Sequence, residues 1–255
     1  TLMMSIYGDM DVSRLSEKPD NRREVITLSK PDVKIKEILK FVKKEILLDN
    51  QIFWVCPLIE ESKKVEHEAV INKYKYLNNL FPELVGLVHG ALDKKEKEKS
   101  LKLFLDKKYK ILVSTTVIEV GIDFPNANII IIENSNKFGL SQLHQLRGRV
   151  GRGTKQGVCI LLYKNNLSDN ARKRIKILKS STDGFKIADE DMKLRGYGDI
   201  LGYKQSGIKE FKLADPIHHK DLFKYAEEEI KSIEKNKIGF KRYRPLLKLY
   251  DQADI

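Results

Sequence analysis

Between about residues 25 and 163, short unbroken apolar runs alternate with stretches of helical period, and few folds accommodate that order. Ile52-Phe53-Trp54-Val55-Cys56 is apolar at every position and is ended by Pro57. Ile111–Ser114, Ile129–Ile132 and Val158–Tyr163 have the same character, and a further strand is expected over Leu84–Val88. A strand with one face in water alternates apolar and polar residues, whereas a continuous apolar strand is covered on both faces. Between these runs, Val33, Ile35, Ile38, Leu39, Val42 and Ile46 recur at helical spacing among lysines. A polar helix is expected from about Val65 to Asn79. Asp93, with Glu96 three residues later, reads as the N-cap of another helix ending near Leu105. Buried strands separated by amphipathic helices predict an α/β fold, a parallel sheet with helices on both faces. Ligands of such sheets bind at the carboxyl ends of the strands.

After Tyr163 the alternation stops. Helices are expected over roughly Asp169–Lys179, Ala188–Leu194 and Lys220–Lys235, with a glycine-rich turn (Gly196, Gly198, Gly202, Gly207) between the last two. This sets a boundary near 165. Residues 1–165 form the sheet domain, and residues 166–255 a smaller helical hairpin and C-terminal region with a basic tail after Gly239. The net charge of +12 fits an anionic partner such as nucleic acid, although the abundance of Lys, Ile and Asn also fits a plain compositional bias. Cys56 and Cys159 stand in separate apolar runs and the five histidines show no ligand spacing. The expectation is therefore core thiols in a reducing cytosol and no metal site. No apolar run approaches the roughly 18 residues of a membrane span, so no membrane partner is expected. The opening Thr1–Asp9 resembles neither a native start nor a cleavable signal, and the chain is expected to be a piece of a longer protein.

Three segments carry chemistry. Residues 145–152 read Gln-Leu-Arg-Gly-Arg-Val-Gly-Arg, placing Arg147, Arg149 and Arg152 among glycines. A guanidinium is a permanent charge with a rigid fork of donors matched to phosphate oxygens, and on a short turn it can reach a triphosphate held by a neighbouring domain. A solvated basic helix is the alternative. Ser114–Asp123 follows directly on a strand. There Thr115 and Thr116 can bond a nucleic-acid phosphate, Gly121 allows close backbone approach, and Asp123 can bond a ribose hydroxyl of ATP; an ordinary Thr-capped connection is the alternative. His89-Gly90 also ends a strand and can touch a DNA backbone, or can be a turn with an incidental histidine. No Gly-x-x-x-x-Gly-Lys-Ser/Thr loop and no Asp-Glu-x-His box occurs, so the chain carries no phosphate cradle of its own.

The octet resembles motif VI of superfamily 2 helicases, and Ser114–Asp123 resembles motif V of the same enzymes. Tyr7–Ser13, Val55–Ser62 and Phe138–Gly153 together resemble the RecG family of bacterial ATP-dependent DNA helicases over nearly the whole chain. The resemblance implies a second RecA-like motor domain holding half of an ATPase site. Arg149 and Arg152 would serve as arginine fingers, Gln145 would couple nucleotide to DNA, and Gly121 and Asp123 would lie at the nucleotide. Thr115, Thr116, His89 and Gly90 would hold the DNA backbone. ATP with Mg2+ would be bound mainly by a first motor domain. Arg174, Asp183-Gly184-Phe185, Leu194-Arg195-Gly196 and Gln205 resemble the family's translocation hairpin, implying that Arg174, Arg195 and Gln205 lock the hairpin and signal through its loop. Implied partners are replication forks and Holliday junctions, plus an N-terminal wedge and the first motor domain of the same protein. The implied location is the bacterial cytoplasm, at the nucleoid. A transcription-repair coupling factor-type translocase shares much of residues 110–207, and a non-catalytic RecA-like nucleic-acid-binding module is the alternative of another class.

Overall fold

A computed structural model describes residues 24–57, 63–115, 124–153, 155–195 and 219–235. Six strands form one sheet: β1 (Ile26–Pro31), β2 (Gln51–Val55), β3 (Val85–Val88), β4 (Ile111–Ser114), β5 (Ala127–Ile132) and β6 (Val158–Tyr163). Their order is β1-β6-β5-β2-β4-β3, and every neighbouring pair is parallel. The described helices are α1 (Ile35–Leu47), α2 (Lys63–Leu80), α3 (Lys94–Leu105), α4 (Leu140–Arg147), α5 (Asp169–Ser180), α6 (Gly184–Arg195) and α7 (Lys220–Lys235).

Strand period explains how one sheet makes two cores, because successive side chains point to opposite faces. Ile52, Trp54, Ile111, Val113, Ile129 and Ile131 lie on one face, covered by Ile38 and Val42 of α1 and by Val70 and Leu77 of α2. Phe53, Val55, Leu112, Ile130, Ile132 and Leu161 lie on the other, under Phe104 of α3, Leu143 and Leu146 of α4, Ile175 and Leu178 of α5, and Ile187 of α6. The expected parallel sheet with helices on both faces is the fold that forms. Asp93 caps α3 as expected, accepting from Glu96 N at 2.7 Å. Cys56 and Cys159 are free and buried. Burial pushes both thiols up, Cys159 to about 12.

The sequence pattern missed β1. Ile26 and Leu28 alternate with Thr27 and Ser29, the mark of a strand at a sheet edge, and both stay about half exposed. Helix α6 begins four residues earlier than Ala188, because the Asp183 carboxylate accepts from Phe185 N at 2.8 Å and caps the new first turn.

The chain divides into two compact units, Lys18–Tyr203, and Thr1–Glu17 with Lys204–Ile255. Residue 165 therefore marks the end of strand–helix alternation, not a break in packing, since α5 and α6 cover the sheet of the first unit. Helix α7 belongs to the second unit. Among the described residues no helix is long and apolar enough to cross a membrane.

Candidate functional site

The octet straddles the end of α4. Gly148 N–H donates to the His144 and Leu146 carbonyls and closes the helix, and Arg149 N–H donates to Leu146 O at 3.0 Å. Gly151 then turns with φ of +71°, where a side chain is strained; a Cβ on it would lie 3.2 Å from Gly157 Cα. At Gly153 a Cβ would fall 2.4 Å from the Pro125 carbonyl oxygen, so the backbones touch. Val25, Gly157 and Pro125 stand just before β1, β6 and β5, and the arginine turn therefore lies at the amino ends of these strands. Arg149 is half-buried and Arg152 exposed, with Arg152 Nε donating to Gly148 O at 3.3 Å. Gln145 is exposed on α4.

Arg147, the first arginine of the octet, points the other way. It is 3% exposed. Its Nη1 donates to Leu178 O at 2.6 Å and to Ser181 O at 2.9 Å, with Thr27 Oγ1 at 3.5 Å, and its Nη2 meets His144 Nδ1 at 3.0 Å. Burial pulls this guanidinium below its ordinary pKa, opposed by Cys159 and Glu24. Arg174 makes a second bracket, donating to Phe138 O at 2.8 Å and Asn136 O at 3.1 Å. These bonds of Arg174 tie α5 to the segment between β5 and α4.

At the carboxyl ends of the strands stands a different set. Thr115 follows β4 and is 2% exposed; its Oγ1 and the Ser114 Oγ find no hydrogen-bond partner among the described residues. His89 follows β3, 6% exposed, with Nδ1 accepting from Ala91 N at 3.2 Å, so its ring caps the turn. Gly90 is exposed, nothing lies within 4 Å of a Cβ placed there, and its carbonyl accepts from Lys97 Nζ at 3.0 Å. One pair here was not anticipated. Glu133, directly after β5, binds Lys73 of α2 at 2.6 Å, and the Lys73 Nζ lies 5.6 Å from the centre of the Trp54 ring. The signal in the sequence was a carboxylate ending an isoleucine run.

The candidates thus fall at two ends of the sheet, a strand's length of about 15 Å apart. Arg149, Arg152 and Gln145 are carried on α4 and the turn after it; Thr115, His89 and Gly90 lie at strand carboxyl ends. Thr116, Gly121, Asp123 and Gln205, and the side chain of Arg195, lie outside the described residues.

Comparison with known proteins gives these positions a context. The helicase conserved C-terminal domain family matches residues 33–154, and the family described as ATP-dependent DNA helicase RecG, domain 3, C-terminal, matches residues 181–246. The ATP-dependent DNA helicase RecG of Thermotoga maritima is 44% identical over 236 residues, 92% of this chain and 30% of that protein. The chain belongs to the RecG helicase family. RecG of Escherichia coli strain K12 is 46% identical over 217 residues, 84% of this chain and 31% of its own length. A solved structure of RecG bound to a three-way DNA junction superimposes with a TM-score of 0.67 at 42% identity, covering 87% of this chain and 28% of that one. The chain spans about a third of the length of these RecG relatives. Within it, Arg147 lies in the general helicase match, while Ser181, whose carbonyl it binds, opens the RecG-specific one.

Proposed function

We propose that this chain is the second motor domain and translocation element of an ATP-dependent DNA helicase that acts on branched DNA, regressing stalled forks and migrating Holliday junctions in repair and recombination. It would work in the cytoplasm at the nucleoid, beside a first motor domain and a wedge domain of the same protein. The observation that carries the reading is the glycine-locked arginine turn in a chain without a phosphate loop. Arg149 and Arg152 are the trans-acting half of a nucleotide site. Their guanidiniums fit the anionic γ-phosphate and supply no oxygen ligands, so Mg2+ would be held mainly on the other domain. ATP supplies the phosphoryl group; these arginines would offset the charge that gathers on its oxygens. Gln145, next to the turn, would report nucleotide state, with Gly121 and Asp123 at the nucleotide.

The buried Thr115 hydroxyl, with Thr116, His89 and Gly90, would hold a DNA backbone phosphate at the carboxyl end of the sheet. Branched DNA as substrate is supported by the RecG structure on a three-way junction.

The chain by itself is expected neither to hydrolyse ATP nor to bind it tightly. Purified chain is assayed for phosphate release with and without fork DNA, and robust DNA-stimulated hydrolysis would overturn the half-site reading. In the full-length protein, Arg195→Ala or Gln205→Ala is expected to leave DNA-stimulated ATP hydrolysis within about threefold of wild type while abolishing fork regression. Measuring both rates on one fork substrate checks this, and equal loss of both would place the two residues in folding or in the ATP site.

A further inference from the structure

We propose that Arg147 is a positioning residue that carries displacement of the arginine turn into the α5–α6 pair. The inference rests on the motor reading above.

Arg147 stands two residues before Arg149, yet its guanidinium is spent inside the domain. It meets the C-terminal end of α5, where open carbonyls and the negative end of the helix dipole favour a cation. Two carbonyls three residues apart, Leu178 and Ser181, are gripped by the same Nη1. The link they begin is short and bonded throughout: Ser181 N–H donates to Ile177 O at 3.1 Å, Asp183 N–H to Ser181 Oγ at 3.2 Å, and Thr182 Oγ1 to Glu24 Oε1 at 2.8 Å. A shift at Ser181 is therefore passed to the start of α6.

His144 makes the joint three-sided. A guanidinium has no acceptor, so the His144 Nδ1 accepts from Arg147. The ring's Nε2 lies 3.2 Å from where a Cβ on Gly184 would stand, so the first residue of α6 packs on the same imidazole. Arg174 attaches α5 again beyond the opposite end of α4, through Asn136 and Phe138. With both arginines in place α4 and α5 move as one body; with Arg147 loosened, α5 can pivot about Arg174 while the turn moves. The turn keeps its own supports, the Arg149–Leu146 bond and the glycine contacts to Gly157 and Pro125, and so keeps its chemistry.

The test uses the full-length protein. Arg147→Lys keeps the charge and loses the fork that grips several acceptors. His144→Phe keeps the ring and removes the acceptor. Both are assayed for DNA-stimulated ATP hydrolysis and for base pairs opened per ATP on one fork substrate, with thermal unfolding alongside. Hydrolysis is expected to stay within about threefold. Base pairs opened per ATP should fall about tenfold in Arg147→Lys and by a smaller factor in His144→Phe. If Arg147→Lys shows no cooperative unfolding, His144→Phe decides. A wild-type ratio in the folded variants, or loss of hydrolysis and opening in step, overturns the role of Arg147. Wild-type protein without DNA-stimulated hydrolysis or fork opening overturns the motor reading instead.

Discussion

In the full-length protein, the arginine-finger role proposed for Arg152 predicts that Arg152→Ala lowers ATP turnover by about 10³-fold while fork affinity stays close to wild type. The side chain is exposed at the end of a turn whose backbone is fixed by Gly151 and Gly153, so truncating it removes charge without disturbing the fold around it. Charge on the γ-phosphate oxygens is greatest in the transition state, and an arginine placed for that moment contributes to turnover more than to binding. Arg152→Lys restores a point charge without the rigid fork and should recover only part of the loss. Steady-state hydrolysis at saturating fork DNA, with fork binding measured separately, checks the result. Turnover within a few-fold of wild type would end the arginine-finger role.

Phe104→Ala is expected to destabilise the chain by about 3–5 kcal/mol, a large part of the roughly 5–15 kcal/mol that holds a domain together. Phe104 is fully buried, and its ring sits 5.2 Å from that of Phe53 and 5.5 Å from that of Phe124, which themselves lie 5.4 Å apart. Each pair is tilted or edge-to-face, the arrangement that aromatic quadrupoles favour. Three parts of the chain meet in that triad: β2 through Phe53, α3 through Phe104, and the lead into β5 through Phe124. Removing one ring of the three leaves a void that its packed neighbours fill only in part. The urea midpoint, followed by circular dichroism, should fall by about 1–3 M. A shift below about 0.5 M would mean that the sheet face repacks around the gap.

The fold was readable from apolar runs because a strand covered on both faces leaves an unambiguous trace. Ile111–Ser114 and Val158–Tyr163 form strands with the bounds that their composition predicts. β1 left a weaker trace, since an edge strand with Ile26 and Leu28 half in water looks like any short alternating stretch. Local chemistry was legible where it is set by sequence neighbours, as with Asp93 capping Glu96. It was illegible where it depends on distant partners. Nothing within the octet tells Arg147 from Arg149 or Arg152; the difference comes from Leu178 and Ser181, more than thirty residues away, which turn one guanidinium inward. The Lys73–Glu133 pair was hidden for the same reason, its members being sixty residues apart.

The backbone contacts among Gly151, Gly153, Gly157 and Pro125 make the arginine turn behave as a cast part and not as a hinge. No side chain fits at Gly151, Gly153 or Gly157 to lengthen or redirect its reach. Its distance from a triphosphate would then be set by where the whole domain stands. The stroke of such a motor would be a rigid-body approach and retreat, with the connection between the two motor domains as the adjustable part. Homologues that differ in speed would be expected to differ in that connection, and to keep glycine at positions 151, 153 and 157.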